Sequence, residues 1–347
     1  MNRRPLVAIA ALLAVGAVVA AVLTRTGGGA SAGRATRQSP SPAPVSSPST
    51  TPSQSQNPGP AMGSKPVPPA NGTWIGAWVK PSTDTPDGRL AAVADFERLL
   101  GRPLDIVHVY HQWNDPFPSS DDRADAASGK NVLLSWAGTN TGDIAAGRYD
   151  GLIRQRAQDL KAWGVPVLLE WRWEMDRPNL QSEIGGAQSY IAAWKHIREV
   201  FTGQQVTNVS WVWCPLAVGF VDNRAQPFYP GDDQVDWLCA DTYPTKAVKP
   251  FQVAIQPFLD WAKAHPKPIV VGEFGMKVER GEDVRQRWLA AMGTFVATQP
   301  KIKALVYFDA DHTDSTPSYN MSLRNAPGSM AVFRTIAHES HFDVWRN

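Results

Sequence analysis

The chain has 347 residues, of which 43% are hydrophobic and 19% are charged. This is enough for one large hydrophobic core or two modest ones. The formal net charge of +2 is unevenly distributed, because residues 1–72 contain six basic and no acidic side chains. The remainder holds 28 basic and 32 acidic residues, a net charge of −4. A mildly acidic domain without a basic stripe argues against nucleic acid as a ligand.

Residues 1–32 have the pattern of an export segment. Two arginines precede an apolar run from Leu6 to Leu23, and an Ala-Ser-Ala sequence ends at Ala32. The apolar run is long for a signal peptide and just long enough to span a bilayer. A signal peptide cleaved after Ala32 and an uncleaved membrane anchor are therefore both open. In either case the rest of the chain is expected outside the cell, secreted or held at the outer face of the membrane.

Residues 33–72 are predicted to form a disordered linker. They are rich in Ser, Pro, Thr and Gln and almost free of large apolar side chains. Such a segment cannot bury enough apolar surface to offset the entropy lost on ordering. If the export segment is retained, this linker would act as a membrane tether.

From residue 73 to residue 347 the pattern predicts one folded domain. Short apolar runs alternate with longer helical patterns, which is typical of parallel strands joined by helices. Eight such strands favour a (β/α)8 TIM barrel, and a doubly wound open sheet is the alternative. The predicted strands are 74–80, 105–113, 131–136, 166–175, 209–215, 236–243, 268–275 and 304–310. The predicted helices are 87–100, 149–163, 187–201, 251–264, 284–296 and 330–336, with at most a short helix after the second strand.

Two of these strands end at a glutamate. The apolar run that begins at Val165 leads to Glu174, and the run that begins at Pro268 leads to Glu273. In a barrel of this type the functional site lies at the C-terminal ends of the strands, so both carboxyl groups are expected at one mouth. A pair of carboxyl groups suits the cleavage of glycosidic bonds. The other strand ends supply candidate substrate-binding residues: Tyr243, Trp213, Asp241, His111, Trp113, Trp136, Trp173 and Arg172.

Side-chain alternation refines these candidates. It places Arg172 on the inward face with Glu174, and Tyr243 where its hydroxyl can reach Glu273 and help to keep that carboxylate ionised. Only some of the tryptophans can line the cleft, and the others belong to the core. His111 has an equal claim to a structural role at the rim, and Arg172 an equal claim to a buried ion pair.

The two cysteines, Cys214 and Cys239, exclude a disulfide scaffold and a Cys-rich metal cluster. If Trp213 faces the site, alternation turns Cys214 toward the helices and Cys239 inward. A disulfide between them is therefore disfavoured. The histidines are scattered without ligand spacing, so no metal site is predicted.

A series of short motifs, taken in their order along the chain, resembles glycoside hydrolase family 26. The resemblance covers most of residues 74–340 and implies Glu174 as acid/base, Glu273 as nucleophile and Tyr243 as the partner of the nucleophile. It also implies retention of anomeric configuration and no cofactor. Most members are endo-β-mannanases, and others cut mixed-linkage β-glucan or xylan. The matching stretches are 105–113, 148–150, 160–164, 173–176, 211–215, 229–237, 241–243 and 272–275.

Three positions depart from the usual pattern of this family. Trp173 stands where the family usually has a histidine before the acid/base. Glu170 stands where an arginine often lies, four residues before the acid/base. Residues 310–313 read Ala-Asp-His-Thr where a tryptophan often follows the eighth strand.

The sequence therefore predicts an exported, monomeric, retaining endo-β-glycanase, with β-1,4-mannan as the first expected substrate. One alternative is a glycan-binding, wall-associated barrel with little or no activity. The other is a glycosidase that acts on envelope polysaccharide or on mixed-linkage β-glucan.

Overall fold

The computed structural model of the protein describes residues 62–244, 248–312 and 319–344. The predicted export segment and the linker up to residue 61 lie outside the described residues. Within the described ranges, no helix has both the length and the apolar character needed to cross a bilayer.

Eight parallel strands close into a barrel in chain order, which confirms the predicted (β/α)8 fold. All eight predicted strands are present. The strands are β1 Trp74–Val79, β2 Ile106–His111, β3 Asn131–Trp136, β4 Val167–Trp171, β5 Val209–Trp213, β6 Trp237–Cys239, β7 Ile269–Phe274 and β8 Ile302–Asp309. A short antiparallel pair, β9 Asp311–His312 and β10 Tyr319–Asn320, follows the barrel.

The helices surround the barrel, and local sequence signals explain where several of them begin and end. The side chain of Thr85 caps the first helix by accepting a hydrogen bond from the backbone of Gly88. That helix ends at Gly101, whose positive φ of 80° suits glycine. The helices are α1 Pro86–Leu100, α2 Ser120–Ala127, α3 Thr141–Ala145, α4 Asp150–Trp163, α5 Gln181–Ile184, α6 Ala187–Gly203, α7 Phe251–Ala262, α8 Glu282–Val296 and α9 Pro327–Ala337. The sequence patterns did not predict α3 and α5, which are too short to show helical periodicity.

Two apolar layers hold the fold together. The inner layer fills the barrel with side chains such as Ile106, Leu133, Leu168 and Val270. The outer layer lies between strands and helices and is much larger. Because the interior of an eight-stranded barrel has room for few side chains, most of the bulky aromatic residues pack in the outer layer.

Strand alternation stops earlier than the sequence predicted. β4 ends at Trp171, four residues before the predicted end, because Arg172 and Glu174 both have positive φ values, 53° and 50°. Such backbone is uncommon for residues other than glycine and breaks the two-residue period of a strand. The direction of a side chain after Trp171 therefore cannot be obtained by counting from Glu170.

The described end of the predicted linker is packed against the barrel. Residues 62–72 run along the N-terminal face, where the backbone of Gly63 exchanges hydrogen bonds with Gly164 and Thr207. Lys65 forms an ion pair of 2.7 Å with Asp236. The predicted boundary at residue 73 is thus too late, and the structured part of the chain extends back at least to Met62.

Cys214 and Cys239 form a disulfide, so the expectation that alternation would separate them is wrong. The register pairs Trp213 with Leu238, which places the two cysteines side by side just beyond that pair. Both belong to the inner layer. The error arose from assuming that Trp213 points inward, whereas Trp213 belongs to the outer layer.

A buried ion pair near the first strand provides a test of the fold. Asp105 accepts a hydrogen bond of 2.8 Å from the backbone of Ile75 and also pairs with Arg102. We expect Asp105→Ala to lower the free energy of unfolding by about 3–5 kcal/mol, because it strands a buried guanidinium and a backbone donor. Chemical denaturation would measure the change. In the control Asp95→Ala, which breaks an exposed pair with Arg98, the change should stay within about 0.5 kcal/mol. Equal effects in both variants would contradict this assignment.

Candidate active site

The loop after β4 presents Glu174 to the mouth of the barrel. The Glu174 backbone N–H donates to the carbonyl of Cys214, at 2.7 Å. Two residues further on, Asp176 accepts a hydrogen bond from the backbone of Leu216 at 3.0 Å. These contacts join the loop after β4 to the loop after β5 and hold Glu174 in its unusual backbone conformation. Glu174 is only 6% exposed, and its carboxyl group accepts a hydrogen bond from Arg177.

Glu273 lies within β7 and is held by two tyrosines. The hydroxyl of Tyr110 donates to Oε1 and the hydroxyl of Tyr243 donates to Oε2, each at 2.5 Å. The Tyr243 hydrogen bond expected from the sequence is therefore present. The residue is 6% exposed, like Glu174. With both oxygens engaged, the Glu273 carboxylate has a defined orientation.

The two glutamates face each other across a short gap that they share with Asp241. One carboxylate oxygen from each of these three residues lies within 4.8 Å of the others. Retaining glycosidases have carboxyl groups about 5–5.5 Å apart, whereas inverting enzymes need about 6.5–9.5 Å to admit a water molecule. Oxygens within 4.8 Å of each other are closer than the inverting range and are compatible with the retaining geometry.

The environments of the two glutamates differ. Burial and the neighbouring charge of Glu273 raise the pKa of Glu174 to about 8, although Arg177 acts in the opposite direction. Burial also raises the pKa of Glu273, but there the neighbouring His108 and the hydrogen bonds from Tyr110 and Tyr243 oppose it. The surroundings therefore favour the protonated form at Glu174, and the two hydrogen bonds and His108 favour the ionised form at Glu273.

Asp241 is the third acidic group of the site. It is 2% exposed, and its Oδ2 has no hydrogen-bond partner among the described residues. Burial raises the pKa of Asp241 well above its ordinary value, and the charges of Glu273, Glu170 and Glu174 act in the same direction. Asp241 is thus best described as a neutral acid beside the reacting pair.

Aromatic side chains form one wall of the site. The ring of Trp173 packs against the inner layer, and its centroid lies 5.1 Å from that of Tyr110. Trp78 meets the same tyrosine edge-on at 5.7 Å and stacks on Phe308 at 4.7 Å. Both tryptophans are partly exposed. Flat, partly exposed rings of this kind suit the apolar faces of sugars.

Five predicted substrate-binding residues are directed away from this mouth. Trp213 packs against Tyr229 and Trp261, and Trp113 stacks on Trp136 at 4.5 Å, all in the outer layer. These three tryptophans cannot stack on a sugar, because their rings are buried between the strands and the helices. Bulky rings fit better there than inside the barrel.

The other two misplaced residues form polar contacts outside the site. His111 bonds Asp122 of α2 at 2.8 Å, so it has the structural role left open above. Arg172 pairs with Glu183 of α5 at 2.8 Å, because its positive φ turns it out of the strand. Of the ten predicted residues, the structure brings together Glu174, Glu273, Asp241, Tyr243 and Trp173.

Several residues of the site were missed. Tyr110 and His108 face inward on β2, and the alternation that starts from the inner residue Ile106 could have identified both. Arg177 carries no such signal, since it lies in an irregular loop. Trp78 is the next-to-last residue of β1 and was one of the tryptophans whose direction the sequence left open.

Two groups of described residues bring together atoms that a metal ion could use. The first combines Glu170 with the two cysteines, but a disulfide offers no thiolate. The second is the set of Glu174, Asp241 and Glu273, whose oxygens would suit a hard cation. The chemistry described below uses the same oxygens and needs no ion.

The chain resembles known glycanases in sequence, although no protein-family model matches it. Endoglucanase H of Acetivibrio thermocellus is 29% identical over 286 residues, which cover 76% of this chain and 30% of that protein. A β-1,3-xylanase from an Alcaligenes species is 28% identical over 54% of this chain and 45% of its own length. The chain thus spans less than half the length of either relative.

Solved structures give a more extensive match. A GH26 β-mannanase from Bacteroides ovatus has a TM-score of 0.59 at 16% identity, covering 78% of this chain and 90% of that one. The catalytic domain of a GH26 endo-β-1,4-mannanase from a Bacillus species gives 0.58 at 15% identity, with coverages of 79% and 87%. The chain has the fold of glycoside hydrolase family 26. The resemblance inferred from its motifs is confirmed at the level of the fold.

The opposed environments of the two glutamates can be tested by titration. We expect Glu273→Gln to lower the pKa of Glu174 by about one unit, because a neighbouring negative charge is removed. Arg177→Met should raise that pKa by a similar amount, and Arg177→Lys, which keeps the charge, should change it less. Infrared or 13C NMR titration of the carboxyl groups would measure these shifts. A wild-type Glu174 that titrates near its ordinary value of about 4.3 would show that burial does not control it.

Proposed function

We propose that the chain is a retaining endo-β-glycanase that hydrolyses a β-linked polysaccharide by double displacement. The observation that carries this proposal is the pair of buried carboxyl groups, Glu174 and Glu273, with oxygens within 4.8 Å. Their environments favour opposite protonation states. An acid and a nucleophile at this spacing are what retention requires.

In the first step, Glu174 donates its proton to the glycosidic oxygen. The bond from that oxygen to the anomeric carbon breaks, and Glu273 forms a bond to the same carbon. The raised pKa of Glu174 keeps the proton available at neutral pH. The hydrogen bonds from Tyr110 and Tyr243 hold the Glu273 carboxylate toward the sugar.

In the second step, the glycosyl-enzyme bond is hydrolysed. Glu174, now a carboxylate, takes a proton from water, and the resulting hydroxide oxygen attacks the anomeric carbon. The bond to Glu273 breaks and the sugar leaves with its original configuration. Arg177 hydrogen-bonds Glu174 and stabilises its charge during this interval.

β-1,4-Mannan is the first substrate we propose, since the structural neighbours are named as mannanases. Glucan and xylan are the next substrates to be tested, because the sequence relatives are named as an endoglucanase and a β-1,3-xylanase. Trp173 lines the site where the family usually has a histidine, so it is the side chain we assign to substrate discrimination. We also propose that the enzyme acts outside the cell, on the basis of the export pattern of residues 1–32. That it acts as a monomer stays a prediction.

A glycan panel would test the activity. Wild-type protein should release reducing ends from at least one of mannan, mixed-linkage glucan, β-1,3-xylan or cell-wall extract, and NMR of the first product should show the retained anomer. Glu174→Gln should reduce kcat by about 10²–10⁴-fold, and Glu273→Gln should leave no measurable turnover. Glu199→Gln, which changes an exposed glutamate of α6, is the matched control.

Two results would count against this proposal. Binding to a glycan without any cleavage by the wild type would support the inactive, wall-associated alternative. An inverted product would remove the nucleophile role of Glu273.

A further inference from the structure

Beneath the catalytic pair, a chain of hydrogen bonds crosses the interior of the barrel. The His108 imidazole lies at its centre, with Nε2 at 2.6 Å from the Ser135 hydroxyl and 3.5 Å from Glu170 Oε2. The Ser135 hydroxyl also contacts the Glu170 carboxyl group. On the other side, His108 Nδ1 is 3.2 Å from the carbonyl of Gly272 and 3.3 Å from the Tyr110 hydroxyl. His108, Ser135 and Glu170 are all at most 2% exposed.

The direction of these bonds restricts where the protons lie. A carbonyl can only accept, so Nδ1 of His108 carries a proton that it donates to Gly272. The Tyr110 hydroxyl gives its only proton to Glu273, so its oxygen can only accept from the same Nδ1. At Nε2, one further proton is shared among His108, Ser135 and Glu170. It resides either on the histidine, giving an ion pair, or on Glu170, giving two neutral groups.

The charges that surround the imidazole favour the ion pair. The titratable groups that face this network are Tyr110 on β2, Glu170 on β4, Asp241 after β6 and Glu273 on β7. The histidine lies on the side of Glu273, one tyrosine away. An ionised Glu273 therefore draws the shared proton onto the histidine.

We infer that His108 is a buried imidazolium held by Glu170, and that it acts through Tyr110 as a positioning residue that keeps Glu273 ionised. This inference rests on the proposed function for the role of Glu273, but the charge on His108 can be measured without any substrate. Arg177, the other cation of the site, contacts Glu174 and so serves the opposite carboxyl group. Each reacting glutamate then has its own cation.

The first test is spectroscopic. In the full chain labelled with 15N-histidine, the ring nitrogens of His108 should both show the protonated signature at neutral pH, with the signal assigned by its loss in His108→Gln. In Glu170→Gln the same ring should become neutral, because its counter-charge is gone. A neutral His108 in the wild type would overturn the inference, whether or not the protein cleaves any glycan.

The second test measures kcat/KM against pH on whichever glycan the panel identifies, and follows the acidic limb of that profile. Activity requires ionised Glu273, so it falls as pH drops through the pKa of that group. Removing a nearby cation raises this pKa, and the acidic limb should move to higher pH by about one unit or more. His108→Gln and Glu170→Gln should give similar shifts, and the double variant should shift no further than either single variant.

Matched controls separate this role from a loss of folding. His111→Gln changes the outward histidine of the same strand and should leave the acidic limb in place. His108→Lys, which restores a cation, should move the limb back toward its wild-type position. If folded His108→Gln loses activity equally at all pH values, His108 is only structural and the inference fails. If no glycan is cleaved but His108 is charged, the proposed function fails while the charge assignment stands.

Discussion

The structure depends on placing four carboxyl groups, Glu170, Glu174, Asp241 and Glu273, in the water-poor mouth of one barrel. All four are at most 6% exposed. Transferring a carboxylate from water to such a site is costly unless it is paired or protonated. At Glu174 and Asp241 burial raises the pKa and favours the neutral form, whereas at Glu273 and Glu170 hydrogen bonds from tyrosine and serine hydroxyls stabilise the carboxylate. The division of labour at the site follows from this electrostatic requirement.

The two environments differ because different side chains hydrogen-bond the two carboxyl groups. Tyr110 and Tyr243 each donate to one oxygen of Glu273, while the hydrogen bond to the Glu174 carboxyl group within the described ranges comes from Arg177. Two hydroxyl donors stabilise a carboxylate without adding charge, whereas burial beside an existing negative charge stabilises a carboxylic acid. Exchanging these surroundings would exchange the roles of the two glutamates. The residue type at each position is therefore less informative than its neighbours.

The sequence predicted the strands and the two glutamates better than it predicted the directions of the other side chains. Eight apolar runs and their spacing were sufficient for the barrel, and two runs that ended on glutamate were sufficient for Glu174 and Glu273. The tryptophans were harder, because Trp113, Trp136 and Trp213 look like stacking platforms until the inner face of each strand is known. Placing Val212 inward would have put Trp213 outside and brought Cys214 beside Cys239. Arg172 could not be placed by counting, because its positive φ depends on the tertiary contacts of the loop.

One departure from the family 26 pattern can be explained by the charges around it. The family often carries an arginine where this chain has Glu170, a change from a cation to an anion below the nucleophile. An unpaired anion there would oppose the ionisation of Glu273, so the substitution alone should be unfavourable. His108 and Ser135 lie within hydrogen-bonding range of the new carboxylate and offer a cation on the side of Glu273. If His108 carries the charge that we infer, a cation on β2 takes the place of the one that the family often has on β4. Trp173, by contrast, is a partly exposed ring packed on Tyr110 at the mouth, so this departure changes the shape of the site and leaves the charges around Glu273 as they are.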